Sequence, residues 1–253
     1  MTTVTTVLAI GATGNIGRLV VDELLAREVT VRALVRDVAR ARSILPDAVD
    51  LARGDLATGE GLAAAVDGVD AIVLTHGGET REVDYDGVRR ILESLDGRVT
   101  RIVLMTSMAV SRGGDQYGGL LHWKRRAERL VRAYGAPYTI VRPGWFDYQG
   151  PDENAVLFEQ GDVRDVDVRK GVAKAHIATT LAASLFSDAA VGKTFELFSQ
   201  HGELHEDWES LFGALAPDNA EELAGGGDAG VALNDEPSEV LEDVASIWAL
   251  GAR

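Results

Sequence analysis

The chain has 253 residues, 46% of them hydrophobic, which is enough to bury a substantial α/β core. Its net charge of −15 excludes nucleic acid as a main partner, because phosphate binding needs a basic face, and the lack of cysteine excludes disulfides, thiol nucleophiles and thiolate metal sites. No apolar run approaches the roughly 20 residues that cross a bilayer and no basic-then-apolar leader is seen, so a soluble, cytoplasmic protein without a membrane partner is expected.

The run Val7-Leu8-Ala9-Ile10 reads as a buried parallel strand, and Leu19, Val20, Glu23 and Leu24 fall at helical spacing after Gly17. Between them lies Gly11-Ala12-Thr13-Gly14-Asn15-Ile16-Gly17. A strand, a glycine turn and a helix in direct succession suit a dinucleotide, since the helix start offers unpaired N–H groups and glycines let a pyrophosphate approach the backbone. Gly11 would make the turn, Gly14 the close approach and Gly17 the packing of helix on strand, with Thr13, Asn15 and Ile16 in the same cofactor-binding turn. The spacing Gly-x-x-Gly-x-x-Gly resembles the extended and atypical branches of the short-chain dehydrogenase/reductase superfamily.

The second strand, Val29–Val35, ends in Arg36-Asp37. An acid at this place holds the adenosine ribose of NAD, whereas a basic residue accommodates the 2′-phosphate of NADP. Arg36 therefore points to NADP(H) over NAD(H), with Asp37 as the acid displaced in register being the alternative. A third strand, Val49–Ala52, leads to Gly54-Asp55-Leu56. The resemblance implies that Asp55 and Leu56 meet the adenine; Asp55 also suits the N-cap of a helix over Thr58–Val66. The buried strand Ala71–Leu74 ends at Thr75-His76-Gly77-Gly78, where the glycines permit close approach and Thr75 and His76 would flank a ribose. A catalytic base is the sharper reading of His76.

A helix over Tyr85–Leu95 carries Val88, Ile91, Leu92 and Leu95 on one face. The strand Arg101–Met105 then delivers Thr106-Ser107-Met108 to the carboxyl edge of the sheet. The resemblance implies that Ser107 hydrogen-bonds a substrate carbonyl. The helix Leu120–Tyr134 is stopped by Gly135-Ala136-Pro137 and followed by Tyr138-Thr139-Ile140-Val141-Arg142-Pro143-Gly144-Trp145. This passage resembles the superfamily's active-site helix and sixth strand. It puts Lys124 on the nicotinamide ribose and Pro143, Gly144 and Trp145 in the turn near the nicotinamide, and the resemblance covers about residues 4 to 200. The alternative for Lys124 is a surface cation in a basic helix beside Arg125, Arg126 and Arg129.

The superfamily's usual acid is a tyrosine four residues before that lysine, and here the position holds Leu120. Leucine donates no proton, so Tyr117 and His122 stand as substitutes. Members without the tyrosine resemble reductases of quinones or flavins, or dinucleotide-sensing regulators. Trp145, Phe146, Tyr148, Phe158 and Trp123 read either as core or as an apolar pocket for a flat, conjugated small molecule.

Asp162–Lys170 reads as charged surface, a helix from Val172 to about Phe186 places Val172, Ile177, Leu181 and Leu185 inward, and Gly192–Phe198 reads as a last strand. The acidic remainder holds two amphipathic helices, one with Trp208, Leu211, Phe212 and Leu215 and one opened by Pro237-Ser238, around a flexible Gly225-Gly226-Gly227 break. Its carboxylates read as a solvated face. The expected architecture is a doubly wound, Rossmann-type α/β parallel sheet over 1–200 with a helical extension over 201–253, monomeric or homodimeric and without a metal. The expected function is an NADPH-dependent reductase, or alternatively an NADP(H)-sensing regulator without turnover.

Overall fold

The computed structural model describes residues 4–78, 80–112, 119–164, 171–203 and 207–251. The apolar run at the start is β1 (Thr6–Ile10), which passes through the glycine turn into α1 (Asn15–Ala26). β2 (Thr30–Val35), α2 (Val38–Arg42), β3 (Asp50–Arg53), α3 (Leu62–Ala65) and β4 (Ala71–Leu74) follow. Next come α4 (Arg81–Asp84), α5 (Asp86–Leu95), β5 (Arg101–Met105), α6 (Leu120–Tyr134) and β6 (Tyr138–Pro143). The remainder is β7 (Trp145–Phe146), β8 (Ala155–Glu159), β9 (Gly171–Val172), α7 (Lys174–Ser184), β10 (Lys193–Gln200), α8 (Trp208–Gly213) and α9 (Ser238–Leu250).

The main sheet has the order β3-β2-β1-β4-β5-β6-β10-β8, with every pair parallel except β10 and β8. Strand order reverses between β1 and β4, and the carboxyl ends on either side of that reversal leave the crevice in which open α/β sheets bind ligands. The sheet is apolar on both faces. Val7, Ala9, Val31 and Val73 pack with α1, α7 and α8, whereas Leu8, Ile10, Ile72 and Leu104 pack with α3, α5, α6 and α9. No helix among the described residues is long and apolar enough to cross a membrane.

Several local expectations are corrected. The helix expected over Thr58–Val66 shrinks to α3, because Gly59 and Gly61 take φ of +84° and +74°, and Gly61 rather than Asp55 is its N-cap. The helix expected from Val172 begins at Lys174, with Val172 paired in β9. β8 was not legible, since Ala155-Val156-Leu157-Phe158-Glu159 follows a polar loop and only its antiparallel pairing to β10 makes it a strand. The Gly225-Gly226-Gly227 segment is a packed turn: Gly225 and Gly226 are buried, and their N–H groups donate to Asp228 and Asp218.

The largest correction concerns charge. On α6 the side chains of Arg125, Arg129 and Arg132 are buried, and the C-terminal carboxylates turn inward to meet them. Glu236 accepts from Arg125 Nε at 2.9 Å, Arg126 Nε at 2.8 Å and Arg129 Nε at 3.1 Å. Asp218 accepts from Arg132 Nε at 2.9 Å and from the Tyr138 hydroxyl at 3.0 Å. Neither a basic surface helix nor a wholly solvated acidic tail describes this arrangement, because burying each charge requires the other.

Candidate nucleotide site

The glycine turn is built by sterics. Gly11 takes φ +84°, and a Cβ there would lie 2.7 Å from the His76 backbone nitrogen. A Cβ on Gly17 would lie 2.1 Å from the Gly11 carbonyl oxygen, so only glycine lets α1 close against the turn. Gly14 N–H donates to that carbonyl at 2.9 Å and Gly14 is the N-cap of α1, which has neither a side-chain cap nor an acid in its first turn. The uncapped first turn leaves N–H groups for an anion. Thr13, Gly14 and Asn15 are exposed at the crevice, whereas Ile16 is 4% exposed and packs in the core.

Beyond β2, Arg36 is exposed and Asp37 is committed elsewhere, its carboxylate accepting from Arg40 N at 2.9 Å as the N-cap of α2. Asp55 shapes its own loop, with Oδ1 accepting from Ala57 N at 2.9 Å, and Leu56 is buried against the α5 face. After β4, the Thr75 hydroxyl donates to the Ile10 carbonyl at 3.0 Å and His76 is buried beside Gly11. Nothing lies within 4 Å of a Cβ on Gly77, whereas one on Gly78 would meet Val83 at 2.6 Å. Gly77 therefore faces open space, and Gly78 is required by packing.

The carboxyl ends of β5 and β6 supply the rest. The half-buried Ser107 hydroxyl donates to the Met108 carbonyl at 3.1 Å, and Met108 N donates to the Pro143 carbonyl at 3.2 Å. The loop after Ser107 is anchored by Asp162, whose carboxylate accepts from Ala109 N at 2.6 Å and from Ser111 N and Oγ at 2.9 Å. Asp162 is 3% exposed, so the surface reading of that residue is overturned. Gly144 N donates to the Leu197 carbonyl at 2.9 Å, tying the Pro143-Gly144 turn to β10.

Lys124 is not a free surface cation: its Nζ lies 3.1 Å from Oδ1 of Asp84, a carboxylate that is 1% exposed. Asp84 also accepts from Gly78 N at 3.3 Å. Sequence reading missed Asp84, whose only signal was an acid ahead of the α5 pattern. His76 lies close enough for its titration to feel both charges. Burial lowers its pKa to about 4, with the Asp84 charge opposing and the Lys124 charge reinforcing.

Tyr117 lies outside the described residues. The hydroxyls of Tyr85, Tyr134 and Tyr138 donate to Asp243, Arg98 O and Asp218, away from the crevice. His122 is half-buried on α6. The aromatic pocket is corrected in part. Phe158 stacks with Phe212 and Trp208 and packs at a tilt against Phe195, and Trp123 lies 5.7 Å from Tyr85 under the Arg81 and Arg126 guanidiniums. Trp145 and Tyr148 remain together, 6.4 Å apart, beside the exposed Phe146. Among the described residues no cluster fit for a metal ion is found.

The chain resembles known proteins in sequence and in fold. The chain is 26% identical to sanguinarine reductase of Eschscholzia californica over 82% of this chain and 94% of that protein. It is 26% identical to the TIC 62 protein of Pisum sativum over 54% of this chain, but spans only 32% of that protein's length. A solved structure titled as an NAD-dependent epimerase/dehydratase from Bacillus halodurans superposes with a TM-score of 0.67 at 21% identity, covering 83% of this chain and 100% of that one, which shows the shared fold. A family model for NAD(P)H-binding proteins matches residues 11–188, and with its Rossmann-type fold the chain belongs to that NAD(P)H-binding family.

Proposed function

We propose that this chain is an NADPH-dependent reductase of a flat, conjugated small molecule such as a quinone or flavin. The observation that carries the reading is the uncapped, acid-free first turn of α1 closed on Gly11 and Gly17, next to an exposed Arg36 whose neighbouring acid is spent on a helix cap. Thr13, Gly14 and Asn15 would hold the pyrophosphate, Arg36 the 2′-phosphate, Asp55 and Leu56 the adenine side, Thr75, His76 and Gly77 the ribose track, and Lys124, Pro143, Gly144 and Trp145 the nicotinamide half. Bound NADPH supplies the hydride.

The chain's own residues orient the acceptor and place charge. The Ser107 hydroxyl, rotated off the Met108 carbonyl, donates to an acceptor oxygen, and the Lys124 ammonium places positive charge where the reduced acceptor becomes anionic. Trp145, Phe146 and Tyr148 offer flat apolar surface. An acceptor whose reduced form takes its proton from water needs no phenol at position 120, and Tyr117 would join only as an orienting group.

The test is NADPH oxidation followed at 340 nm against quinones, flavins and sanguinarine, the last chosen because it names one relative. Turnover with at least one of these supports the reading; tight NADPH binding with no turnover across the panel overturns it. Leu120 in place of the acid favours a second reading in that event, a redox-sensing binding protein, for which NADPH and NADP⁺ differ in affinity.

A further inference from the structure

We propose that Asp84 is a positioning residue for Lys124, holding its ammonium at the crevice in the absence of a tyrosine one turn earlier on α6. This deepens the reductase reading and rests on nucleotide binding at the crevice. Three segments converge here: the loop after β4 with His76 and Gly78, the short helix α4 with Asp84, and the first turns of α6 with Lys124. Asp84 is fixed from behind, because α4 starts on a Thr80 cap whose hydroxyl accepts from Val83 N, and Gly78 N–H donates to the same Oδ1 that meets Lys124. The Lys124 side chain is 17% exposed, so of the ion pair it is the lysine that reaches the open side.

The cost of this arrangement marks it as more than packing. Asp84 Oδ2 and His76 Nδ1 are both buried without a hydrogen-bond partner. An orphaned buried polar atom is destabilising, and a chain selected for stability alone would have no reason to keep a carboxylate there. A long, flexible lysine stem with no phenol beside it needs another group to hold it in one place. A carboxylate on a different helix does this in a way that the four-residue spacing on α6 does not reveal.

The test is a double-mutant cycle on the full chain with Asp84→Asn, Lys124→Met and both together, read as dissociation constants for NADPH and for 2′,5′-ADP, which lacks the nicotinamide half. Each single variant is expected to weaken NADPH by about tenfold, the double variant no further, and 2′,5′-ADP by less than about twofold. With an acceptor and saturating NADPH, Asp84→Asn should lower kcat and leave the acceptor KM unchanged. Losses that add in the double variant, or equal loss of 2′,5′-ADP, overturn the proposal. If Asp84→Asn does not fold, Lys124→Arg keeps the charge but moves the donor, and must lose NADPH affinity while keeping that for 2′,5′-ADP. A wild-type chain that binds neither nucleotide fails the underlying reading instead.

Discussion

Arg142 grips Glu128 inside the protein with two hydrogen bonds, Nε to Oε1 at 3.0 Å and Nη2 to Oε2 at 2.7 Å, at 1% and 0% side-chain exposure. The same guanidinium reaches Glu196 and Asp228, so a single cation on β6 ties together carboxylates from α6, β10 and the C-terminal segment. Burial alone would raise the Glu128 pKa; the Arg142 and Arg132 charges and their hydrogen bonds outweigh it and hold the pKa at about 2.

Arg142→Met should therefore destabilise the chain by about 3–5 kcal/mol, because it strands buried carboxylates rather than removing a pair. Urea unfolding at pH 7 measures this. Since the folded pKa of Glu128 is depressed, its contribution is present above about pH 4.5 and is lost as pH falls through about 2. A variant within 1 kcal/mol of the parent would remove Arg142 from its central role.

His76 and Glu196 pull stability in opposite directions with pH. The His76 pKa is lowered to about 4 from 6.5, so the folded state binds fewer protons and stability falls on acidification below about 6.5. The Glu196 pKa is raised to about 7 from 4.5, chiefly by burial and also by Asp162 against the pull of Arg142. Its folded state binds more protons, so stability falls as pH rises from about 4.5 to 7. Stability curves between pH 4 and 8 should bend apart: His76→Gln gains relative stability at the acid end and Glu196→Gln at pH 8. Parallel curves would refute both assignments.

Gly17→Ala and Gly77→Ala separate fold from binding. The Gly17 methyl would press on the Gly11 carbonyl, so that variant should unfold several degrees lower and lose NADPH binding. The Gly77 methyl meets nothing, so stability should stay within about 0.5 kcal/mol while NADPH affinity falls. Thermal unfolding with and without nucleotide reads both, and full NADPH affinity in Gly77→Ala would move the ligand away from that loop.

Arg36→Ala should erase a preference for NADPH over NADH, a change of about tenfold or more in the ratio of dissociation constants. Asp37→Ala should instead cost about 1 kcal/mol of stability through the lost α2 cap and leave the preference intact. A preference that survives Arg36→Ala would assign the 2′-phosphate to another cation.

Most strands of the main sheet, the glycine turn and the long helices were legible because each is a local pattern: apolar runs for β1, β4 and β5, helical spacing for α1 and α5, and Gly135 as the stop of α6. Gly11, Gly14 and Gly17 were legible for the same reason, as one turn packs against itself. Asp84 beside Lys124, Asp162 under Ala109 and Ser111, Glu236 among three arginines and Phe158 on Phe212 were not. Each of those contacts joins residues 40 or more positions apart in the chain. Whether a charge is solvated or buried then depends on which element the sheet order brings against it, a property of the topology that no window of sequence contains.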